Sequence, residues 1–299
     1  MSDNRYNLSA RTAVTSVELL VVIGLTGILA SLLLAGVQQV RAAAARLACE
    51  NNLKQVALAL HSYHDTHGGL PLRPGTDQWA QATLSWMGYI LPQIEQEGLW
   101  VLTEAAFHID PLAFHDPPHV GYSTVIKLYV CAADTRLLVP LTDQFGVTAA
   151  YASFVGIEGA STSDGVLGPY PGVQFRDVTD GLSQTVMIGE RPPPNSLLAG
   201  RWYTASQDTQ WGMNRGPDIS MPVLCPALLT DPPCIGPIYS FSYGRLDNSC
   251  DRYHLWSLHP GGANFGFADG SVRFLSYEAA PILPALATRA GGEVVAVPE

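Results

Sequence analysis

Few residues in this chain have the types and spacing that chemistry requires, and the first is an acid beside an apolar run. Residues 19–40 carry no charge, and Glu18 stands immediately before them. A carboxylate at the rim of a membrane-length segment is costly unless paired, so Glu18 is a candidate functional group. Ahead of it, Ala13 followed by Val14 offers the small residue a processing site needs, whereas Leu33-Leu34-Ala35 at the far end does not. A second candidate is His259 with Asp269-Gly270, near Ser257 and Ser271. These are the residue types of a hydrolase, but no G-x-S-x-G nucleophile elbow is present. A histidine before Pro-Gly-Gly more often ties a loop by hydrogen bonds, and the chain reads as a non-enzyme.

Metal-ligand types occur in two further places. His61, His64 and His67 with Asp65 have helical spacing, but His67 falls at the helix end. Imidazoles there complement the helix dipole without any metal. Asp164, Asp177 and Asp180 could seat a calcium ion together with backbone oxygens. Their spacing matches no calcium loop, and acidic residues in turns commonly cap them. The five cysteines, Cys49, Cys131, Cys225, Cys234 and Cys250, include no C-x-x-C pair, which argues against a zinc ribbon or a redox motif. Cys225 and Cys234 bracket a short loop and are candidates to pair. Cys225–Cys250 and Cys234–Cys250 are also open, since sequence does not fix connectivity.

The elements that must carry these residues begin with one long helix. Residues 19–40 supply roughly 20 apolar or small positions, enough to cross about 30 Å of hydrocarbon. Residues 41–64 continue without Pro or Gly. There Cys49, Leu53, Val56, Leu60 and then Tyr63 or His64 recur in steps of four and three, one apolar stripe, with Asn51, Asn52, Gln55 and Ser62 on the other face. The outer half of the helix is therefore expected to lie on a globular head, with Cys49 facing it, until Gly68-Gly69 and Pro71 end it. Residues 84–102 read as a second helical segment with a new turn at Pro92. Residues 125–131 read as a short strand that puts Cys131 near the core, which makes Cys49–Cys131 the favoured disulfide. Strands are also expected at 149–156 and 185–188.

Asp269-Gly270 is a hairpin signal. Read as a two-residue loop, it sets Phe267 opposite Val272 and Phe265 opposite Phe274. A short helix at 281–290 and a strand at 294–297 close the chain. With 22 Pro and 28 Gly in 299 residues, the head should be rich in loops and short strands. A net charge of −10 without any Lys or Arg run argues against a nucleic-acid-binding surface, and no nucleic-acid partner is expected. Arg5 and Arg11 precede the apolar run while Arg41, Arg46 and Lys54 follow it, so charge alone sets no orientation.

Residues 13–23, AVTSVELLVVI, resemble the class III prepilin signal of type IV pilins and type II secretion pseudopilins. The resemblance implies that a prepilin peptidase cuts between Ala13 and Val14 on the cytoplasmic side and methylates Val14. Glu18 is then the fifth mature residue, neutralising the N-terminal amine of a neighbouring subunit. The family usually has Gly and Phe where this chain has Ala13 and Val14. Major pseudopilins often bind calcium in the head.

Further along, HPGGANFGFADG at residues 259–270 matches the His-x9-Asp-Gly motif of a large bacterial family of pilin-like proteins with a domain of unknown function. Asn51-Asn52-Leu53-Lys54-Gln55, Tyr63-His64-Asp65, Ser85-Trp86, Leu91-Pro92, Cys131 and Thr179-Asp180-Gly181 resemble its pattern in order, with Ala132 where that family usually has Pro. The expectation is an α+β protein: a leader at 1–13, a pilin-type helix at 14–67 spanning the membrane at about 17–40, and a mainly antiparallel β head at 68–299 with its hairpin at 259–275. It implies a single-pass inner-membrane protein with its head in the periplasm or outside the cell, no cofactor apart from the calcium candidate, and other pilin-like subunits as partners. From a different class, the same features fit a membrane-anchored binding module that never polymerises.

Overall fold

A computed structural model of the chain describes residues 16–71, 84–161, 164–167, 172–204, 219–226, 234, 238–293 and 295. The leader, Ala13 and Val14 lie outside these residues. The uninterrupted run of helix formers becomes α1, Ser16–His67. The chain divides into two compact units, residues 1–44 and 45–299.

In the first unit α1 is apolar on every side. Val17, Leu20, Ile23, Leu25, Ile28, Leu29, Leu32 and Leu33 are all exposed. Its two hydroxyls within the apolar run bond back to the helix: Thr26 Oγ1 donates to Val22 O at 2.7 Å and Ser31 Oγ to Ile28 O at 2.7 Å. A helix segment apolar all round, with the hydroxyls inside it closed on its own backbone, has the form required in hydrocarbon. This helix is long and apolar enough to cross a membrane.

In the second unit the stripe read from the sequence is buried: Cys49, Leu53, Val56 and Leu60 are sealed from solvent. Asn52 departs from expectation. It is half-buried, and its Nδ2 donates to Val130 O at 2.9 Å. The helix stops where Gly68 adopts φ +75° and its N–H returns to His64 O at 2.7 Å, a left-handed cap that glycine takes without steric cost.

The head is built on a five-stranded sheet in the order β5-β3-β4-β6-β7. The strands are β3 (Phe154–Gly159), β4 (Val186–Glu190), β5 (Ser220–Pro222), β6 (Gly262–Phe267) and β7 (Val272–Ser276), after a small pair, β1 (Leu141–Thr142) and β2 (Thr148–Ala149). All neighbours in the larger sheet are antiparallel except β3 with β5. The fold is therefore α+β with a mainly antiparallel sheet. One face receives α1: a Cβ added to Gly266 would lie 3.5 Å from Leu53 Cγ, so the helix rides close on β6. The other face, with Val155, Ile157, Phe265, Phe267 and Leu275, packs with Leu283 and Leu286 of α4 (Leu283–Ala287) in a second apolar core.

Several local expectations are corrected. Residues 84–102 are not one helix but α2 (Trp86–Tyr89), a 3-10 turn at Pro92–Ile94 and the start of α3 (Glu97–Ile109). Glu95 at φ +62° breaks them apart. Ser85 caps α2, its Oγ accepting from Met87 N–H at 3.1 Å. Residues 125–131 contain a 3-10 turn, Lys127–Tyr129, instead of a strand. Its bonding is local, Tyr129 N–H to Ile126 O at 2.9 Å, and Tyr129 Oη anchors it on Met87 O at 2.7 Å. The run at 149–156 is split between β2 and β3. The strand expected at 294–297 lies, apart from residue 295, outside the described residues.

The hairpin register is also one residue from expectation. Phe265 stands opposite Arg273 and Asn264 opposite Phe274. The turn holds three residues: Phe267 N–H bonds Ser271 O at 2.8 Å and Gly270 N–H bonds Phe267 O at 2.9 Å, with Gly270 at φ +79°. That is the loop in which a bulge residue sits left-handed. A one-residue slip exchanges the faces of a strand. Phe274 therefore meets Arg46 of α1, whose guanidinium carbon lies 4.4 Å from the ring centre, while Arg273 covers Phe267 on the opposite face.

Candidate functional site

The strongest concentration of chemistry-bearing side chains is a closed centre where α1, the 125–131 turn, β4 and the loop before β6 meet. Cys49 on α1 is bonded to Cys131, as expected from Cys49 facing the head. His259 Nε2 lies 3.3 Å from Cys131 Sγ and 3.3 Å from Glu190 Oε1. Glu190 ends β4, and Asn264 of β6 holds it: the backbone N–H donates to Oε2 at 2.7 Å and Nδ2 to Oε1 at 3.3 Å. His259 is fixed through its backbone, donating to Ser257 Oγ at 2.9 Å, while that hydroxyl donates to Gly262 O at 2.6 Å. One sulfur has a backbone donor nearby, Ala132 N–H reaching Cys49 Sγ at 3.0 Å, and the Cys131 backbone N–H donates to Ser153 Oγ at 2.9 Å. None of the four residues exceeds 4% exposure.

His259 is thus held in its loop by its backbone, and its side chain meets Glu190, an acid that sequence reading missed. Glu190 closes the buried strand 186–190 as its one acid, and a lone carboxylate in an apolar run was the available signal. Asp269 and Gly270 do different work. Asp269 Oδ1 accepts from Ser271 N–H at 2.8 Å, and its own N–H donates to Leu182 O at 3.0 Å. Gly270 O accepts from Lys54 Nζ of α1. The motif therefore has two ends, one locking the hairpin tip to the helix and one placing an imidazole on the disulfide.

The other candidates are each absorbed locally. Asp164 Oδ1 accepts from Ala160 N–H at 3.1 Å, and Asp177 caps a turn by accepting from Gln174 N–H at 2.9 Å. Asp180 receives Gly291 N–H at 2.7 Å and Gly292 N–H at 2.9 Å. Among the described residues these carboxylates do not gather into one metal-ligand group; each accepts from backbone donors of a turn. His61 stacks on Phe175 with centroids 4.3 Å apart, His64 lies tilted against the same ring at 4.3 Å, and His67 stacks on Tyr63 at 4.0 Å. Burial lowers the His61 pKa, with smaller opposing contributions from Ala268 and nearby acids.

Of the three pairings left open, Cys225–Cys234 is not the one formed. Cys234 bonds Cys250, and Cys225 is a buried free thiol. Two backbone bonds of 2.9 Å between Cys225 and Tyr239 hold it in place, and burial pushes its thiol up to about 12. Glu18 occupies the first turn of α1, where the helix N-terminus favours negative charge.

A membrane-length helix that continues into a disulfide-bonded α+β head defines the class of protein. The family model described as "Protein of unknown function (DUF1559)" matches residues 38–281, and the chain belongs to that family. The matched stretch begins within α1, so the segment resembling the prepilin signal precedes it. No curated protein and no solved structure matches the chain.

Proposed function

We propose that this protein is a prepilin-like structural subunit. Prepilin peptidase removes residues 1–13 and methylates Val14. The mature chain then assembles with other pilin-like subunits into a type II secretion pseudopilus or a type IV pilus-like filament. The observation that carries this reading is the inner half of α1, apolar on all sides and exposed, with one acid, Glu18, in its first turn. Each large aliphatic side chain there gains about 1.5–3 kcal/mol on full burial. Lipid supplies that burial before assembly, and neighbouring helices supply it after. Glu18 then distinguishes the two states, because a carboxylate at that depth is stabilised by a cationic partner, and the N-terminal amine of an adjacent subunit is one. The protein is a single-pass inner-membrane subunit with its head on the periplasmic or outer side, where its two disulfides persist.

The test has two readouts from one membrane preparation. Peptide mass spectrometry should find an N-methylated Val14 at the mature terminus. Cross-linking in cells should give a ladder of subunits for wild type and a processed monomer for Glu18→Ala. An intact Met1, or a ladder unchanged by Glu18→Ala, overturns the proposal. In the first case the anchored binding module is the reading left standing.

A further inference from the structure

We propose that Cys49, Cys131, His259 and Glu190 form a redox-gated zinc site, closed by the disulfide when oxidised and open to Zn²⁺ when reduced. This goes beyond filament assembly and does not rest on it, since all four residues lie in the second unit, 45–299, outside the apolar inner half of α1. Their ligand atoms lie within 4.8 Å of one another, the group of this kind among the described residues. Tetrahedral zinc holds sulfur at about 2.3 Å and imidazole nitrogen or carboxylate oxygen at about 2.0–2.2 Å, so its ligands stand about 3.3–3.8 Å apart. The 3.3 Å distances from His259 Nε2 to Cys131 Sγ and to Glu190 Oε1 already have that spacing.

A disulfide by itself calls for no such neighbours. Burying polar side chains such as His259 and Glu190 is costly unless they are hydrogen-bonded, and apolar residues would pack against the S–S bond without that cost. The surroundings are instead those of a metal centre. Metal ligands are held in place by second hydrogen bonds. Here Asn264 grips the Glu190 carboxylate twice, and Ala132 N–H points at Cys49 Sγ. An N–H donor at that sulfur stabilises a thiolate. The ligands come from α1, the 125–131 turn, β4 and the loop before β6, so a bound ion would clasp the helix to the sheet as the disulfide does.

The exchange balances. A dithiol reductant attacks one sulfur of the Cys49–Cys131 bond, which breaks. The reductant's second thiol closes on the first and leaves as a disulfide, so two electrons and two protons pass to the protein sulfurs. Zn²⁺ then forms two Zn–S bonds, displacing two thiol protons to solvent. Its remaining positions go to the Nε2 lone pair of neutral His259 and a Glu190 oxygen. Reoxidation by a disulfide oxidant removes two electrons from the sulfurs and releases the ion.

The test uses the full chain in detergent, reduced, desalted without oxygen and titrated with Co²⁺. The expected result is one equivalent bound, with the visible bands of tetrahedral cobalt and a thiolate-to-cobalt charge-transfer band. Zn²⁺ should displace it, and oxidised protein should bind none. Zinc should protect Cys49 and Cys131 from alkylation but not Cys234 and Cys250. His259→Asn and Glu190→Gln should each weaken the metal by at least ~10-fold. Absent cobalt bands in reduced wild type, equal affinity in His259→Asn, or protection of Cys234 in place of Cys49 each overturn the proposal. Near-UV circular dichroism of buried Trp202 and Trp256 reads folding in the same samples. Reduced protein that unfolds and is not restored by zinc overturns it as well, because a built site couples metal binding to the fold.

Discussion

Removing each disulfide in turn separates what the two bridges do. Cys49–Cys131 closes a loop of sequence separation 82, whereas Cys234–Cys250 closes one of 16. In the chain-entropy picture a cross-link removes loop-closure entropy from the unfolded chain, with the loss growing as the logarithm of loop length. That gives about 4.5 kcal/mol for the first and about 3.1 kcal/mol for the second. The first also covers the buried His259–Glu190 pair, so its loss opens space beside two ionisable groups and adds to the cost. Cys49→Ala/Cys131→Ala should therefore lose at least ~1.4 kcal/mol more than Cys234→Ala/Cys250→Ala, about a tenfold difference in the unfolding equilibrium. The assay is urea unfolding of the full chain in detergent, followed by fluorescence of Trp202 and Trp256, both buried. Against a total stability of roughly 5–15 kcal/mol, the larger loss should shift the midpoint far to lower urea. Equal losses, or a larger loss for Cys234→Ala/Cys250→Ala, would refute the view that Cys49–Cys131 is the main tie between helix and head.

Three further outcomes are expected. Gly270→Ala should cost about 1–2 kcal/mol because φ +79° is strained for a side chain, and Gly270→Asn should cost less, both read by the same urea assay. Acidification should weaken the head through His61, whose pKa burial lowers from its ordinary 6.5. The unfolded chain takes up this proton first, so the contribution is complete above pH 6.5 and declines as pH falls toward the folded value. Melting curves should show that slope flattened in His61→Gln, and an unchanged slope would count against it. Cys225, with its thiol near 12, should resist iodoacetamide at pH 8 in folded protein and react once urea unfolds it. Rapid labelling of the folded form would contradict its burial.

The features legible in the sequence were those written in local repetition. An unbroken apolar run, followed by a stripe in steps of four and three, specifies both α1 and the side that meets the head, because a helix converts near spacing into one face. Cys49 on that stripe could therefore be matched with Cys131 even though the 125–131 segment is a 3-10 turn. Asp269-Gly270 marked the hairpin for the same reason. The choice between a two- and a three-residue loop was not legible. It depends on Lys54 and Leu182 gripping the tip and on Gly266 letting Leu53 approach, all distant in sequence.

The same limit hid Glu190 and the bond from Cys234 to Cys250. A carboxylate at the end of a strand looks alike in sequence whether it faces water or a buried imidazole, and five cysteines carry no record of which two meet. The sequence by itself determined the long helix, its membrane-length inner half with Glu18, its buried stripe and the α+β character of the head. Only the tertiary structure decided the hairpin register, the cysteine partners and the meeting of His259 with Glu190 at the disulfide. Helix and turn formation rest on interactions a few residues apart, whereas register, pairing and burial are set by contacts that exist only once the sheet and helix have packed.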